Sequence, residues 1–403
     1  MKPANGDGQP VGPVINRRDF LALGGAALSL AAAGGLPAKA EETKPVSPGQ
    51  PGWKELPVRA FLLSAPETKD VALACQFIRE ALPKEGVNTL VLRIEYRYQF
   101  KSHPELADFD ALSRDDLRQI SEACKAGGIK LIPCTNLFAH QSEQEKILPL
   151  LAKYPQFDES PEYNPPHPWV NGGAFDFYTK SVCPQHPDLY KVILPLVDEL
   201  MEACEADAFH AGFDEVWVIG HPQCPRCGGK DPAELFARHA TRLRDHLAEK
   251  NGRLWIWSDR LLDGKTSNLL AWQASMNNTW RAIDLIPQDI LICDWKYEDA
   301  PPTPAYFAIK GFDVLASPCD KADVALAQLE MVYLIRQNGG RADFSKTLAA
   351  RMQGMFATSW LDAGKFIRAY YGTEENEGTK NAGAFKALFA EIRRNRPGKS
   401  AGA

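Results

Sequence analysis

Eight short apolar runs alternate along the chain with longer segments in which apolar residues recur at helical spacing. The runs cover residues 58–64, 89–94, 129–136, 208–213, 254–259, 290–295, 312–317 and 354–360. Each is too short for an average helix, rich in branched or aromatic residues, and bounded by turn formers or charge. Each therefore predicts a strand. Between them, Leu189, Ile193, Leu196, Leu200 and Cys204 repeat every three or four positions and predict a helix with one buried face. Helix boundaries carry their own signals. Ser113-x-x-Asp116 has the form of a capping box ahead of a segment that stops at Gly127-Gly128. Asp231-Pro232 sets a cap before a first-turn proline, and Asn251-Gly252 closes that helix. Asp320 opens another, ended by Gly339-Gly340. Strands alternating with helices predict a parallel sheet, and eight such units close a (β/α)8 TIM barrel. One domain over residues 57–396 accommodates the pattern.

The two ends depart from it. Arg17-Arg18 sits in Asn16-Arg17-Arg18-Asp19-Phe20-Leu21, ahead of a weakly apolar stretch and then Ala38-Lys39-Ala40. Residues 1–40 match a cleavable twin-arginine export signal, which makes the twin-arginine machinery a partner and the periplasm or exterior the destination. That stretch is short and rich in Gly and Ala, so stable membrane insertion is not expected. Residues 41–56 read as a flexible tether and 397–403 as a disordered tail. A net charge of -5, with no basic face, argues against a nucleic-acid partner.

Candidate chemistry gathers at strand ends. The fourth run closes as His210-Ala211-Gly212-Phe213-Asp214-Glu215, an apolar strand ending in two adjacent carboxylates. Charge at the end of a buried strand needs a partner or a task, and the C-terminal ends of barrel strands are where such folds keep their acids and bases. Side chains alternate along a strand. If Asp214 points into the barrel mouth, His210 and Gly212 do too, Phe213 faces the helices, and Glu215 rises over the opening. Other strand ends carry His140 after the third, Trp257 and Asp259 on the fifth, Trp295 and Tyr297 on the sixth, and Trp360 and Asp362 on the eighth. Trp faces with carboxylates and amides suit a sugar, whose C–H face stacks while its hydroxyls hydrogen-bond. Trp255, one turn of alternation deeper, is expected in the core.

At these positions the chain resembles the family 20 glycoside hydrolases, β-N-acetylhexosaminidases with the hallmark H-x-G-G-D-E at the end of barrel strand four. Gly128-Ile129-Lys130-Leu131-Ile132-Pro133 with His140, Trp257-x-Asp259, Trp295 and Trp360-x-Asp362 fall in the family's order. The resemblance implies substrate-assisted, retaining hydrolysis of terminal β-linked N-acetylhexosamine, with no cofactor. Glu215 is then the proton donor and Asp214 the group that holds the acetamido N–H. His210, His140, Trp257, Asp259, Trp295, Tyr297, Trp360 and Asp362 line the sugar. Some positions differ from the family pattern. Phe213 replaces the second Gly. Arg59 begins its strand, far from the end that should supply a sugar-binding Arg. Arg93-Ile94-Glu95-Tyr96 stands where His and Asp are usual. No Tyr follows strand seven, leaving Tyr297 as its substitute. A same-fold glycosidase with another sugar preference, or a glycan-binding barrel without turnover, are the competing readings.

Nine cysteines remain to be placed. Cys75 and Cys124 fall in helical patterns and Cys134 and Cys293 in strands, so these four read as core. Cys224-Pro225-Arg226-Cys227 lies in a polar loop near His221. It admits a local disulfide, half of a zinc site completed by His221 or by the loop carrying Cys183 and His186, or a redox pair.

Overall fold

The computed structural model describes residues 53–143, 146–162, 180–339 and 343–395. The expected export signal, most of the tether and the tail lie outside the described residues. The eight predicted strands all form, as β1 (Val58–Ser64), β2 (Thr89–Arg93), β3 (Lys130–Cys134), β4 (Ala208–His210), β5 (Arg253–Trp257), β6 (Leu291–Trp295), β7 (Val314–Ser317) and β8 (Met352–Thr358). They pair in parallel in chain order, and β8 closes on β1 to complete the barrel. The closing seam is tight. A Cβ at Gly354 would meet the Val58 carbonyl oxygen at 1.9 Å, so only glycine lets β8 approach β1 there.

Alternation sorts the strands into two cores. Ala60, Leu62, Ile132, Cys134, Ala208, Trp255, Trp257, Cys293, Trp295 and Phe356 fill the barrel interior. Small residues on β1, β3, β4 and β6 make room for the indoles of β5 and β6, which is how a closed barrel is packed without a pore. Phe61, Leu63, Leu131, Leu254, Ile256 and Ile292 point the other way, into the helix layer.

That layer includes α1 (Val71–Glu80), α2 (Arg114–Ala126), α3 (Leu189–Cys204), α4 (Pro232–Ala248), α5 (Thr303–Lys310), α6 (Ala322–Asn338), α7 (Asp343–Arg351), α8 (Ala363–Tyr371) and α9 (Gly378–Arg394). The predicted face of α3 is buried throughout. Ser113 and Asp116 form the expected capping box on α2, and Asp231 caps α4. Helix α6 opens later than Asp320 suggested, with Lys321 at its N-cap. Between β5 and β6 the chain makes single-turn helices (Gly264–Ser267, Leu270–Gln273) and two 3-10 segments (Asp259–Leu261, Thr279–Asp284) in place of a long helix. Arg281 of the second of these 3-10 segments pairs with Asp231 at 2.7 Å, tying it to the start of α4.

Candidate active site

Strand β4 is shorter than its apolar run. It ends at His210 because Gly212 (φ +75°) and Phe213 (φ +74°) enter the left-handed region. The barrel ladder nevertheless continues through them, since Ala211 N–H donates to Trp255 O and Trp257 N–H to Gly212 O. The expected directions hold. Phe213 turns outward and packs its buried ring on Phe138, Phe236 and His239, with centroids 5.2, 5.2 and 5.1 Å away. That burial offsets a backbone conformation costing about 1–2 kcal/mol for an L-residue. Gly212, Asp214 and Glu215 line a cavity of about 510 Å³ at the C-terminal end of the barrel. Non-glycine residues with positive φ cluster around it, with Glu95, His140 and Glu215 each at +51° beside Phe213. Such strain is characteristic of sites whose side chains must be aimed.

His140 stands between the two acids, its Nε2 3.2 Å from Asp214 Oδ2 and 3.3 Å from Glu215 Oε2. Asn136 Nδ2 donates to the other Asp214 oxygen at 2.7 Å. The Glu215 N–H donates to Asp259 Oδ2 at 2.9 Å, which fixes the backbone under the acid. The two carboxylates diverge in acidity. Burial opposes the Asp214 anion, but His140 overrides it and holds the pKa below the usual Asp value. Burial lifts the Glu215 pKa; His140 pulls against it, the charge of Asp214 adds to it, and the net shift is upward. Burial also opposes charge on His140, yet Asp214 and then Glu215 raise its pKa well above the ordinary imidazole value. The site therefore tends toward an imidazolium, an ionised Asp214 and a protonated Glu215, a division of roles set by environment.

Trp257, Trp295, Tyr297 and Trp360 form an aromatic wall of the cavity. Trp257 stacks on Phe356 at 5.3 Å with the rings 4° from parallel, and Trp360 Nε1 donates to the Tyr297 hydroxyl at 2.8 Å. Trp255 lies below them in the barrel core, as expected.

Three residues expected against the sugar do not line the cavity. His210 is fully buried beneath the floor, 4.4 Å from the Trp257 ring, and burial lowers its pKa to about 3. Asp259 is fully buried behind the wall, where its oxygens accept from Glu215 N–H, Arg260 Nε and Trp295 Nε1. It positions Glu215 and an indole because a buried Arg260 is there to neutralise it. Asp362 caps α8, accepting from Lys365 N–H at 3.2 Å. Conversely, Arg93, Glu95 and Asn136 line the cavity without having been predicted as site residues. Arg93 and Glu95 are charges at a strand's C-terminal end, the same signal that marked Asp214. The guanidinium of Arg93 lies 5.2 Å over Trp360, so β2 supplies an arginine to the aromatic wall; Arg59 binds Gly86 O and Leu56 O at the opposite end.

Cys224 and Cys227 come together with Cys183 and with Glu159, which sequence reasoning missed. The His221 ring is not in this group; its backbone N–H donates to Glu159 Oε1. His186 packs on Phe157 instead.

A family model described as glycosyl hydrolase family 20, catalytic domain, matches residues 90–365, more than half of the chain. The chain is 24% identical over 221 residues to a β-hexosaminidase from Emericella nidulans, covering 52% of this chain and 33% of that protein. Among solved structures it is similar to a chitobiase from Flavobacterium johnsoniae (TM-score 0.56, 18% identity, 85% of this chain and 50% of that one). It is also similar to a β-N-acetylhexosaminidase from Bacteroides fragilis (TM-score 0.52, 16% identity, 82% and 65%). The chain thus spans about a third of the curated relative's length and half of the chitobiase's. At these identities the structural likeness is one of fold.

Proposed function

The chain belongs to glycosyl hydrolase family 20, and on that premise we propose that it is an exported, retaining exo-glycosidase that removes terminal β-linked N-acetylhexosamine. The observation that carries this reading is the pair Asp214 and Glu215, side by side on one cavity with their acidities pushed apart. Glu215, holding its proton, donates it to the glycosidic oxygen as the bond breaks. The substrate's acetamido oxygen attacks the anomeric carbon, and ionised Asp214 accepts the acetamido N–H and stabilises the positive charge that develops on that group. Water then opens the cyclic intermediate from the face the leaving group has left, opposite the acetamido oxygen, with Glu215 as base, so two inversions give net retention.

The surroundings suit these steps. Asn136 and His140 leave Asp214 little freedom to turn. The Tyr297 hydroxyl accepts from Trp360 Nε1 and keeps its own hydrogen to give to the acetamido oxygen. Trp257, Trp295 and Trp360 offer apolar faces to the ring, while Arg93 and Glu95 are placed to bind hydroxyls. Export rests on the twin-arginine pattern of residues 1–40. Among the described residues, no helix is long and apolar enough to cross a membrane.

An aryl N-acetyl-β-glucosaminide, assayed with wild type, Glu215→Gln and Asp214→Asn, tests the proposal. Wild type turns over with the β-anomer released first by NMR, and both variants lose about 100-fold or more in kcat. Full activity of Glu215→Gln removes the acid assignment. Glu95, a further carboxylate in the cavity, is the observation that favours a different sugar preference. A panel of aryl glycosides decides between them, and tight glycan binding without turnover on any would replace hydrolysis with recognition.

A further inference from the structure

Outside the cavity, four ligand-bearing side chains from two connections, those after β3 and β4, converge with nothing in the proposed reaction to explain them. Glu159 comes from the segment after β3 and Cys183 from the approach to α3; Cys224 and Cys227 come from the loop after β4. Their ligand atoms all lie within 4.8 Å of one another. Cys183 Sγ is 3.3 Å from Cys227 Sγ and 3.6 Å from Cys224 Sγ. Thiolates about 2.3 Å from a tetrahedral Zn²⁺ stand roughly 3.8 Å apart, close to this spacing. Glu159 is fully buried: Oε1 accepts the His221 N–H at 3.1 Å, while Oε2 receives no N–H or O–H donor among the described residues and the carboxyl's other neighbours are the three thiols. The nearby Lys180 ammonium is spent on Asp158 and the Ser160 carbonyl. A buried carboxylate oxygen facing three thiols is costly unless a cation completes the group.

The Cys224–Cys227 turn is built as a metal knuckle. Cys227 N–H donates to Cys224 Sγ at 3.3 Å, and Gly228 N–H and Lys230 N–H donate to the Cys224 and Cys227 carbonyls. A Cβ at Gly228 would come within 2.8 Å of Cys224 O, so the turn needs glycine there. A disulfide uses two of the three sulfurs and leaves the third, and Glu159, unexplained. A tetrahedral ion uses all four groups.

We propose that Cys183, Cys224, Cys227 and Glu159 bind one structural Zn²⁺ ion, independently of the sugar chemistry. The three thiols lose their protons to solvent on binding, and Glu159 ligates through Oε2 with Oε1 held by the His221 N–H. The ion joins the β3 and β4 loops behind the active site. Its ligand segments already brace the backbone around His140, because Val182 N–H donates to Phe138 O and Gln141 N–H to Lys180 O.

The test is metal content. Wild type purified without added metal and dialysed against a weak chelator should hold close to one zinc per chain by mass spectrometry. Replacing zinc with Co²⁺ should give thiolate-to-cobalt charge-transfer absorption and the band pattern of a tetrahedral site. Glu159→Gln should lower zinc affinity at least about 10-fold in competition with a chromophoric chelator, and Cys183→Ser with Cys227→Ser should hold none. Metal-free wild type whose denatured mass is two hydrogens short, the signature of a disulfide, overturns the proposal. So does zinc retained at full stoichiometry by the double variant. The cobalt spectrum is read on wild type, so the test stands even if the cysteine variants do not fold.

Discussion

Replacing Gly212 by Ala tests how the cavity floor holds Asp214. A methyl group there would meet Asn136 Cγ at 2.4 Å and Nδ2 at 2.6 Å, distances no real contact reaches. The backbone is also left-handed at φ +75°, which costs an alanine about 1–2 kcal/mol. Asn136 must rotate away and give up its 2.7 Å bond to Asp214 Oδ1. A hydrogen bond to a charged group is worth about 1.5–3 kcal/mol, and each 1.36 kcal/mol is a factor of ten in rate. Gly212→Ala should therefore lose roughly 10- to 150-fold in kcat/KM on an aryl N-acetyl-β-glucosaminide. Asn136→Ala should lose a similar amount. If both act through the same bond, the double variant loses little more than either single one, because coupled residues are not additive. Fully additive losses, or Gly212→Ala at wild-type activity, would refute the account of the floor.

Other perturbations reach different parts of the molecule. His140→Gln removes the cation that pulls the Glu215 pKa down, so the alkaline limb of kcat/KM, on which Glu215 loses its proton, should move to higher pH; an unmoved limb contradicts the ion-pair reading. Phe213→Gly relieves the strained φ but gives up a ring packed on three others, and should cost about 2–3 kcal/mol by denaturant titration, against a gain in stability if strain outweighed packing. Burial depresses the pKa of His239 to about 4, below the ordinary unfolded value of about 6.5. In that window the unfolded chain binds the proton and the folded one does not, so stability is lost as the pH is lowered through it. His239→Gln should make the urea midpoint less pH-dependent between neutrality and about pH 4, and an equal slope in both proteins would count against a buried neutral imidazole.

Much of this was legible along the chain. Strand number, strand order and the inward direction of Asp214 follow from period-two alternation and local helix signals, which depend on neighbours in sequence. The aromatic strand ends that line the cavity were legible for the same reason. The exact end of β4 was not, because a left-handed Phe213 leaves no mark in the hydrophobic pattern. Asp259 and Asp362 looked equivalent to Asp214, each a carboxylate just past a strand-end aromatic. Arg260 and Trp295 drew Asp259 behind the wall, and the first turn of α8 drew Asp362 to its N–H groups.

By itself, the sequence determined a closed eight-stranded parallel barrel with two acids at the end of its fourth strand, because alternation and capping act between residues close in the chain. Tertiary structure alone decided which polar groups face the cavity and which are neutralised behind it. It also decided that Glu159, Cys183, Cys224 and Cys227 meet. Those outcomes depend on the loop dihedrals beyond each strand end and on partners far away in sequence, and neither carries a period that a linear pattern can reveal.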